Sequence, residues 1–253
     1  MRRTGTGRIL VWRGGSLWIG LAGAGTGVHA HHAIQATLAF PGGRVRLSDR
    51  AGNWSTHAAA IVPAHVPHAF EAGGQRVALI FADPESRHGR ALHLRHRDQG
   101  IVPVPAKAIA RSLADLVAAY DARAGNDVLI EKALAVIAGL AGAHDGPVSA
   151  PDARIAHAVH LLRERIRGSI TQASIASAVH LSPDRFRHLF VAETGITFRA
   201  YVLWLRLEQS LAAYVSGMAL TDAALEGGFA DSAHFSRTFR RMFGIAPASV
   251  RPE

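Results

Sequence analysis

The last third of this 253-residue chain repeats one pattern twice. A short Ala-rich stretch leads into a turn, and then into a segment with Phe at helical spacing and Arg or His on its other side. The first copy runs from about Ser174 to Thr194 and the second from about Thr221 to Gly244. Phe186, Leu189 and Phe190 line one side of the longer segment in the first copy, as Phe235, Phe239 and Phe243 do in the second. Two helices joined by a tight turn, the second with an apolar inner face and a basic outer one, follow the physical logic of a helix-turn-helix unit. Two such units on one chain suggest contact with two adjacent DNA grooves.

The residue types inside each unit support this. In the first, Ile175, Ala176 and Val179 face the core of the positioning helix, and Ala176 and Ala178 are small enough for close helix approach. His180-Leu181-Ser182 makes the turn. Ser182 is the expected N-cap, and Pro183 takes the first helical position, where a missing N–H costs nothing. Asp184, Arg185, Arg187 and His188 are left outward. In the second unit Ala223 and Ala224 lie on the short helix, Gly227-Gly228-Phe229 makes the turn, and Asp231 or Ser232 caps the next helix. Its outward set is Ser232, Ala233, His234, Ser236, Arg237, Arg240 and Arg241, with Arg237, Arg240 and Arg241 forming a basic edge. Arg bonds guanine bidentately or pairs with phosphate, and His does either more weakly. The plainer alternative for each face is ordinary solvation. Between the units, Phe198 to Tyr214 reads as a helix of roughly 25 Å, a rod able to hold two helices about one DNA turn apart, roughly 34 Å.

Composition bounds the rest. A hydrophobic fraction of 49% against 19% charged residues fits a globular protein. The absence of Cys excludes disulfide scaffolds, thiolate metal sites and cysteine nucleophiles, and with them alkyl-transfer repair chemistry. Net charge is +9, but only +3 of it lies from Asp152 onward, so the placement of charge on the helices carries more weight than the total. Arg2 and Arg3 precede an apolar stretch from Leu17 to Ala24, yet Arg13 and a Gly-rich segment interrupt it. No run approaches the roughly 20 apolar residues of a membrane span. A cytoplasmic protein without membrane contact is expected.

Three regions differ in texture. From residue 8 to about 95, short apolar runs (Ile9–Trp12, Ser16–Leu21, Ala36–Phe40, Arg44–Leu47, Ala58–Val62 and Arg76–Phe81) alternate with turn signals, which predicts an antiparallel β-sandwich or barrel without helix. From Ala106 the pattern is helical: Ile109, Leu113, Leu116, Val117 and Tyr120 mark one face, Gly125-Asn126-Asp127 breaks the chain, and Ile130, Leu134 and Ile137 mark a second helix. This hairpin packs either on the β-domain of its own chain or on a second copy. Gly142 to Pro151 reads as a linker, after which Asp152 caps a helix carrying Ile155, Val159, Leu162 and Ile166. The expected class is α+β: a β domain over 1–100, a helical hairpin over 101–145, a linker over 146–152, and an all-α tandem helix-turn-helix domain over 153–253.

The segment LSPDRFRHLFVAETGITFRAYVLWLRLEQSLAAY, followed by GFADSAHFSRTFRRMFGIAPASVR, resembles the AraC/XylS family of bacterial transcription regulators. The likeness covers about Ile155 to Arg251 and is carried by the order Gly228-Phe229, His234-Phe235, Phe239-Arg240, Phe243-Gly244 and Pro247. Val250 departs from it, standing where the family commonly has Tyr. The resemblance implies a seven-helix DNA-binding domain attached to a sensor and dimerisation domain, hence a homodimer on double-stranded operator DNA, with RNA polymerase as a partner if it activates. On matching positions it implies base-edge contacts from Asp184, Arg187 and His188 and from Ser232, Ala233, His234 and Arg237. Arg185, Arg240 and Arg241 fall to phosphates.

The N-terminal histidines resemble those of a cupin-like sensor domain: His29, His31 and His32 before a strand, then His65 and His68 in IVPAHVPHAFEAGG. Cupin enzymes place two His, a Glu and a later His on one metal. Here His29, His31 and His68 could supply three ligands, since strand residues i and i+2 share a face, but Gln35 stands near the place of the carboxylate and His65 replaces a usual Gly. A small-effector pocket lined by His29, His31, Trp54, His65 and His68 competes with satisfied core histidines. The expectation is a transcription regulator that is not an enzyme and carries no cofactor. The alternative is a metal-dependent cupin enzyme with an appended DNA-binding domain.

Overall fold

The computed structural model describes residues 5–23, 25–142 and 150–252; Arg2, Arg3 and residues 143–149, within which most of the expected linker falls, lie outside them. The chain divides into two compact units, one comprising Met1–Gly146 with Phe239–Glu253, the other Pro147–Thr238.

In the first unit the chain forms β1 (Gly5–Trp12), β2 (Gly15–Ala22), β3 (Ile34–Ala39), β4 (Val45–Ser48), β5 (Trp54–His57), β6 (Ala59–Val62), β7 (Ala69–Glu71), β8 (Arg76–Ala82), helix α1 (Arg87–His96), β9 (Val102–Pro103), α2 (Ala106–Asp121) and α3 (Asn126–Ala141). A last strand, β10 (Val250–Pro252), comes from the chain's C-terminal end. One sheet runs β10-β1-β2-β8-β3-β6-β9 and the other β5-β4-β7. The long sheet is antiparallel except where β10 joins β1 in parallel, with Gly5 opposite Val250. β3 is buried at all six positions because both faces are covered. One face joins Val45, Leu47 and Phe70 of the small sheet, making a sandwich. The other joins Leu113 and Leu116 of α2 and Leu129, Ala133 and Ile137 of α3 in one core with Leu17, Ile34 and Leu38. The helical hairpin therefore packs on the β-domain of its own chain. Arg8 on β1 ties down its turn, donating to the Ala124 carbonyl and to Asn126 Oδ1.

The six apolar runs fall on β1, β2, β3, β4, β6 and β8. Helix α1 is a correction to a helix-free reading up to residue 95. Its sequence RHGRALHLRH has no apolar stripe, and Leu92 is its one buried large aliphatic residue, so periodicity gives no sign of it. The local signal is Ser86, whose hydroxyl accepts from the Gly89 N–H as an N-cap.

In the second unit lie α4 (Ala153–Arg165), α5 (Gln172–Ala178), α6 (Pro183–Thr194), α7 (Phe198–Val215) and α8 (Leu220–Glu226). Helix α9 (Ser232–Phe243) starts there, and its last five residues count with the first unit. Asp152 caps α4, accepting from the Arg154 N–H, and the Arg154 side chain beside it holds its carboxyl down at about 2. Among the described residues no helix is long and apolar enough to cross a membrane.

Leu116 is fully buried between hairpin and sheet, whereas Leu225 on α8 is 55% exposed. Leu116→Ala is expected to cost about 2–5 kcal/mol in urea unfolding and Leu225→Ala less than about 0.5 kcal/mol. Equal losses would mean that the hairpin is not part of the β-domain core.

Candidate nucleic-acid interface and ligand cavity

The sequence repeat becomes a structural repeat. Helices α5 and α8 have 7 residues each, and α6 and α9 have 12. Each turn passes through the left-handed region, at His180 (φ 54°) in the first unit and Gly228 (φ 77°) in the second. Each long helix ends on a left-handed glycine, Gly195 or Gly244. Phe186, Phe190, Phe235 and Phe239 are fully buried. Phe190 meets Phe186 at 5.3 Å and Tyr201 of α7 edge-on at 5.3 Å, so α7 is the surface against which α6 is held.

With those rings inward, the opposite face is fixed outward. Asp184, Arg185, Arg187 and His188 of α6 are exposed, as are Ala233, Arg237, Arg240 and Arg241 of α9. Ser232 and His234 are half-buried. Ser182 caps α6 through the Arg185 N–H. Asp231, rather than Ser232, caps α9, accepting from the His234 N–H at 2.6 Å. The His234 ring stands edge-on to Phe229, with centroids 5.1 Å apart. Asp184 has a local role: its carboxylate pairs with Arg187 at 3.1 Å and its carbonyl lies 2.8 Å from His188 Nδ1. Both members of the pair are well exposed, so it contributes little to stability and leaves Arg187 available.

In the first unit, His29, His31 and His68 come together, all buried, with their ligating nitrogens within 4.8 Å of one another. The bridge between His29 and His68 joins two loops flanking the sheet, and the strand entry brings in His31. Each Nδ1 lies against a backbone carbonyl: Gly27 for His29 (2.8 Å), Ala33 for His31 (2.8 Å) and Val66 for His68 (3.0 Å). A carbonyl only accepts, so each Nδ1 carries the proton and each Nε2 presents a lone pair. Gln35 Oε1 lies 3.1 Å from His31 Nε2 and 3.3 Å from His68 Nε2, while its amide nitrogen donates to Thr37 Oγ1. An amide oxygen facing two imidazole lone pairs suits a cation between them; turned by 180°, the amide would instead donate to both.

Burial pushes all three imidazoles toward the neutral form. His31 is lowered to about 3, by desolvation first and the neighbouring His29 second. His68 is lowered well below the usual value by desolvation and by His31 and His29, and His29 by desolvation.

His65 lies apart from this cluster, with its Nε2 3.2 Å from His32 Nδ1. Its φ of 66° explains why the sequence pattern has Gly there. His32 Nε2 in turn lies 2.9 Å from a carboxylate oxygen of Glu85, a hydrogen-bonded contact across 53 residues that no local motif signals. Trp54 is 39% exposed on β5 under Arg46 and takes no part in lining the cavity.

Beside the histidines lies a mostly apolar cavity of about 770 Å³, open mouth included, over β1, β2 and β8. Trp18, Leu79 and Phe81 form part of its walls, and His29 and Gln35 supply polar groups.

The geometry of the repeat is that of two helix-turn-helix units in tandem. Residues 175–253 match the family model described as a helix-turn-helix domain. The HTH-type transcriptional activator RhaS of Escherichia fergusonii is 34% identical over 102 residues, covering 40% of this chain and 36% of that protein. The arabinose operon regulatory protein of Salmonella typhimurium is 30% identical over 102 residues, with the same two shares. Residues 175–253 are accordingly a helix-turn-helix domain similar to those of these regulators, and the chain spans little more than a third of the length of these two relatives. Across nearly the whole chain the fold is similar to that of ToxT from Vibrio cholerae O395 (TM-score 0.62, 12% identity, 94% of this chain and 96% of that one). A further ToxT structure, from strain SCE256, is described as bound to an unsaturated fatty acid (TM-score 0.56, 14% identity, 92% of each chain). At these identities the likeness carries the fold.

Neutral imidazoles set the sign of an acid effect. Their folded pKa values lie below 6.5, so between about pH 6.5 and 3 the unfolded chain binds more protons than the folded one. Stability of EDTA-treated protein is expected to fall as pH drops through that window, by a few kcal/mol in total. His31→Gln is expected to flatten the slope of unfolding free energy against pH between 6.5 and 4.5; an unchanged slope would place the titration elsewhere.

Proposed function

We propose that the chain is a sequence-specific DNA-binding transcription regulator whose N-terminal domain binds a small effector. The observation that carries this is the pair of 12-residue helices, each held by buried Phe rings and each turning Arg outward from a capped N-terminus. Asp184, Arg187 and His188 on α6, and Ser232, Ala233, His234 and Arg237 on α9, read base edges, while Arg185, Arg240 and Arg241 hold phosphates. Bound to its operator, the protein acts in the cytoplasm as a homodimer, using the exposed face of the hairpin, and engages RNA polymerase when it activates. The effector takes the apolar cavity beside His29, His31 and His68; a ToxT structure of similar fold is described as bound to an unsaturated fatty acid, which supports an apolar body for the effector. Binding biases the DNA-competent state through differential affinity for the two states.

A second reading rests on the clustering of His29, His31 and His68, with the Gln35 oxygen against the Nε2 atoms of His31 and His68. This donor set suits a late first-row divalent ion, and closing the 4.8 Å spread to the roughly 3.3 Å between ligands of a tetrahedral zinc needs only side-chain adjustment. Gln35 supplies no carboxylate, which supports binding over catalytic turnover. Titration calorimetry with Zn²⁺ on EDTA-treated protein tests it: stoichiometric binding lost in His68→Ala supports a metal site, and no heat above buffer removes it.

Arg187→Ala is expected to weaken operator binding by about 1–3 kcal/mol and to affect scrambled duplex less. Arg240→Ala is expected to weaken both about equally and to flatten the salt dependence by a slope of about 1. Titrations of specific and scrambled duplexes at two salt concentrations decide it; equal losses for Arg187→Ala would refute base reading by that residue.

A further inference from the structure

The cavity over β1, β2 and β8 has a wall that comes from the other end of the chain. Phe243, Ile245 and Val250 line it, on the segment that directly follows α9. This segment is fixed at three places. The Phe243 ring sits 5.1 Å from Trp18, 5.6 Å from Phe81 and 5.9 Å from His31, centroid to centroid. The Gly27 N–H donates to the Gly244 carbonyl at 3.1 Å. β10 then adds to the edge of β1, with Thr6 opposite Arg251 and Gly7 opposite Pro252.

Gly244 is needed twice over. Its φ of +70° is the left-handed helix end, and a Cβ there would stand 2.5 Å from the Gly27 carbonyl oxygen and 2.7 Å from His29 Nδ1. Ending the helix explains the first requirement, but only direct seating of this backbone on the His29 loop explains the second.

Apolar surfaces that face each other across open space forgo dispersion contacts, and a molecule filling the gap restores them on both sides at once. The polar groups specify its head. The Nδ1 proton of His29 is taken by the Gly27 carbonyl, so the ring offers an acceptor. Arg8, the cation among the lining residues, directs its guanidinium to Ala124 and Asn126. An uncharged hydroxyl suits this floor, since it can donate to the His29 ring and accept from Thr26, whose Oγ1 already takes the Phe70 N–H, whereas a carboxylate would find the guanidinium of Arg8 engaged elsewhere.

We propose that the cavity is a composite ligand site closed by the C-terminal segment Phe243–Val250. It takes an apolar alcohol or phenol whose hydroxyl donates to His29, and occupancy holds the segment on the sheet. This deepens the effector reading above and rests on it. Arg240 and Arg241 stand on the same turns of α9 as Phe239 and Phe243, so occupancy acts directly on a helix proposed to touch DNA.

The test uses the full-length protein with 1-decanol and decanoate as probes. Calorimetry is expected to show one decanol per chain, binding at least about tenfold tighter than decanoate, whose charged carboxylate must be desolvated with the Arg8 guanidinium turned to Ala124 and Asn126. Hydrogen exchange of the peptide covering residues 239–253 is expected to slow about tenfold with decanol. In Gly244→Ala, that peptide is expected to exchange fast with or without decanol, while peptides from β3 and β8 keep wild-type protection. Leu79→Trp, which fills the cavity from the sheet side, is expected to abolish decanol binding in a folded protein. No decanol binding, decanoate binding as tightly, or binding without protection of residues 239–253 would each overturn the proposal. Gel shifts without ligand report separately on the regulator: operator binding without decanol binding sinks only this inference, and decanol binding without operator binding sinks only the regulator.

Discussion

Everything proposed for the DNA-facing surface depends on how two helices are rotated about their axes. Phe186 with Phe190, and Phe235 with Phe239, each put two fully buried rings one turn apart on one side of a helix. Burying such a side chain is worth roughly 1.5–3 kcal/mol, so a rotation that exposed either pair would cost about 3–6 kcal/mol, a large part of a domain's net stability of roughly 5–15 kcal/mol. With the rings fixed inward, Arg187 and Arg237 have no direction left but outward. The capped N-termini add an electrostatic reason for those ends to approach a polyanion.

A different constraint governs the N-terminal unit. Its buried histidines cannot hold charge there, and the backbone carbonyls of Gly27, Ala33 and Val66 settle which nitrogen of each ring keeps the proton. The result is a neutral, lone-pair-rich patch beside an apolar cavity. Gln35, standing where the cupin resemblance places a carboxylate, keeps it neutral.

The repeat was legible in the sequence because its signals are local: Phe at helical spacing, Ser182 and Pro183 at a helix start, glycines at turns. The expected approach of His29, His31 and His68 also holds, since His29-x-His31 is a strand-entry pattern and His68 follows a Pro-rich turn. Features made by distant contacts were not legible. Helix α1 has no apolar stripe, β5 is short and mostly polar, β7 is only three residues long, and the His32–Glu85 contact joins residues far apart in the chain. Trp54 looked like a pocket residue by type and lies on an exposed strand instead. Val250, visible only as a departure from the family pattern, sits in a strand that pairs with β1. Nothing in its neighbourhood encodes that partner.

The most direct measurement of the central claim is a DNase footprint of the purified full-length protein on its own upstream intergenic DNA, with random duplex as competitor. Two protected stretches centred about 10 base pairs apart on one face, surviving competitor, are what tandem units joined by α7 predict. Protection that competitor erases uniformly, with no stretch preferred, would contradict sequence-specific recognition by this pair of helices.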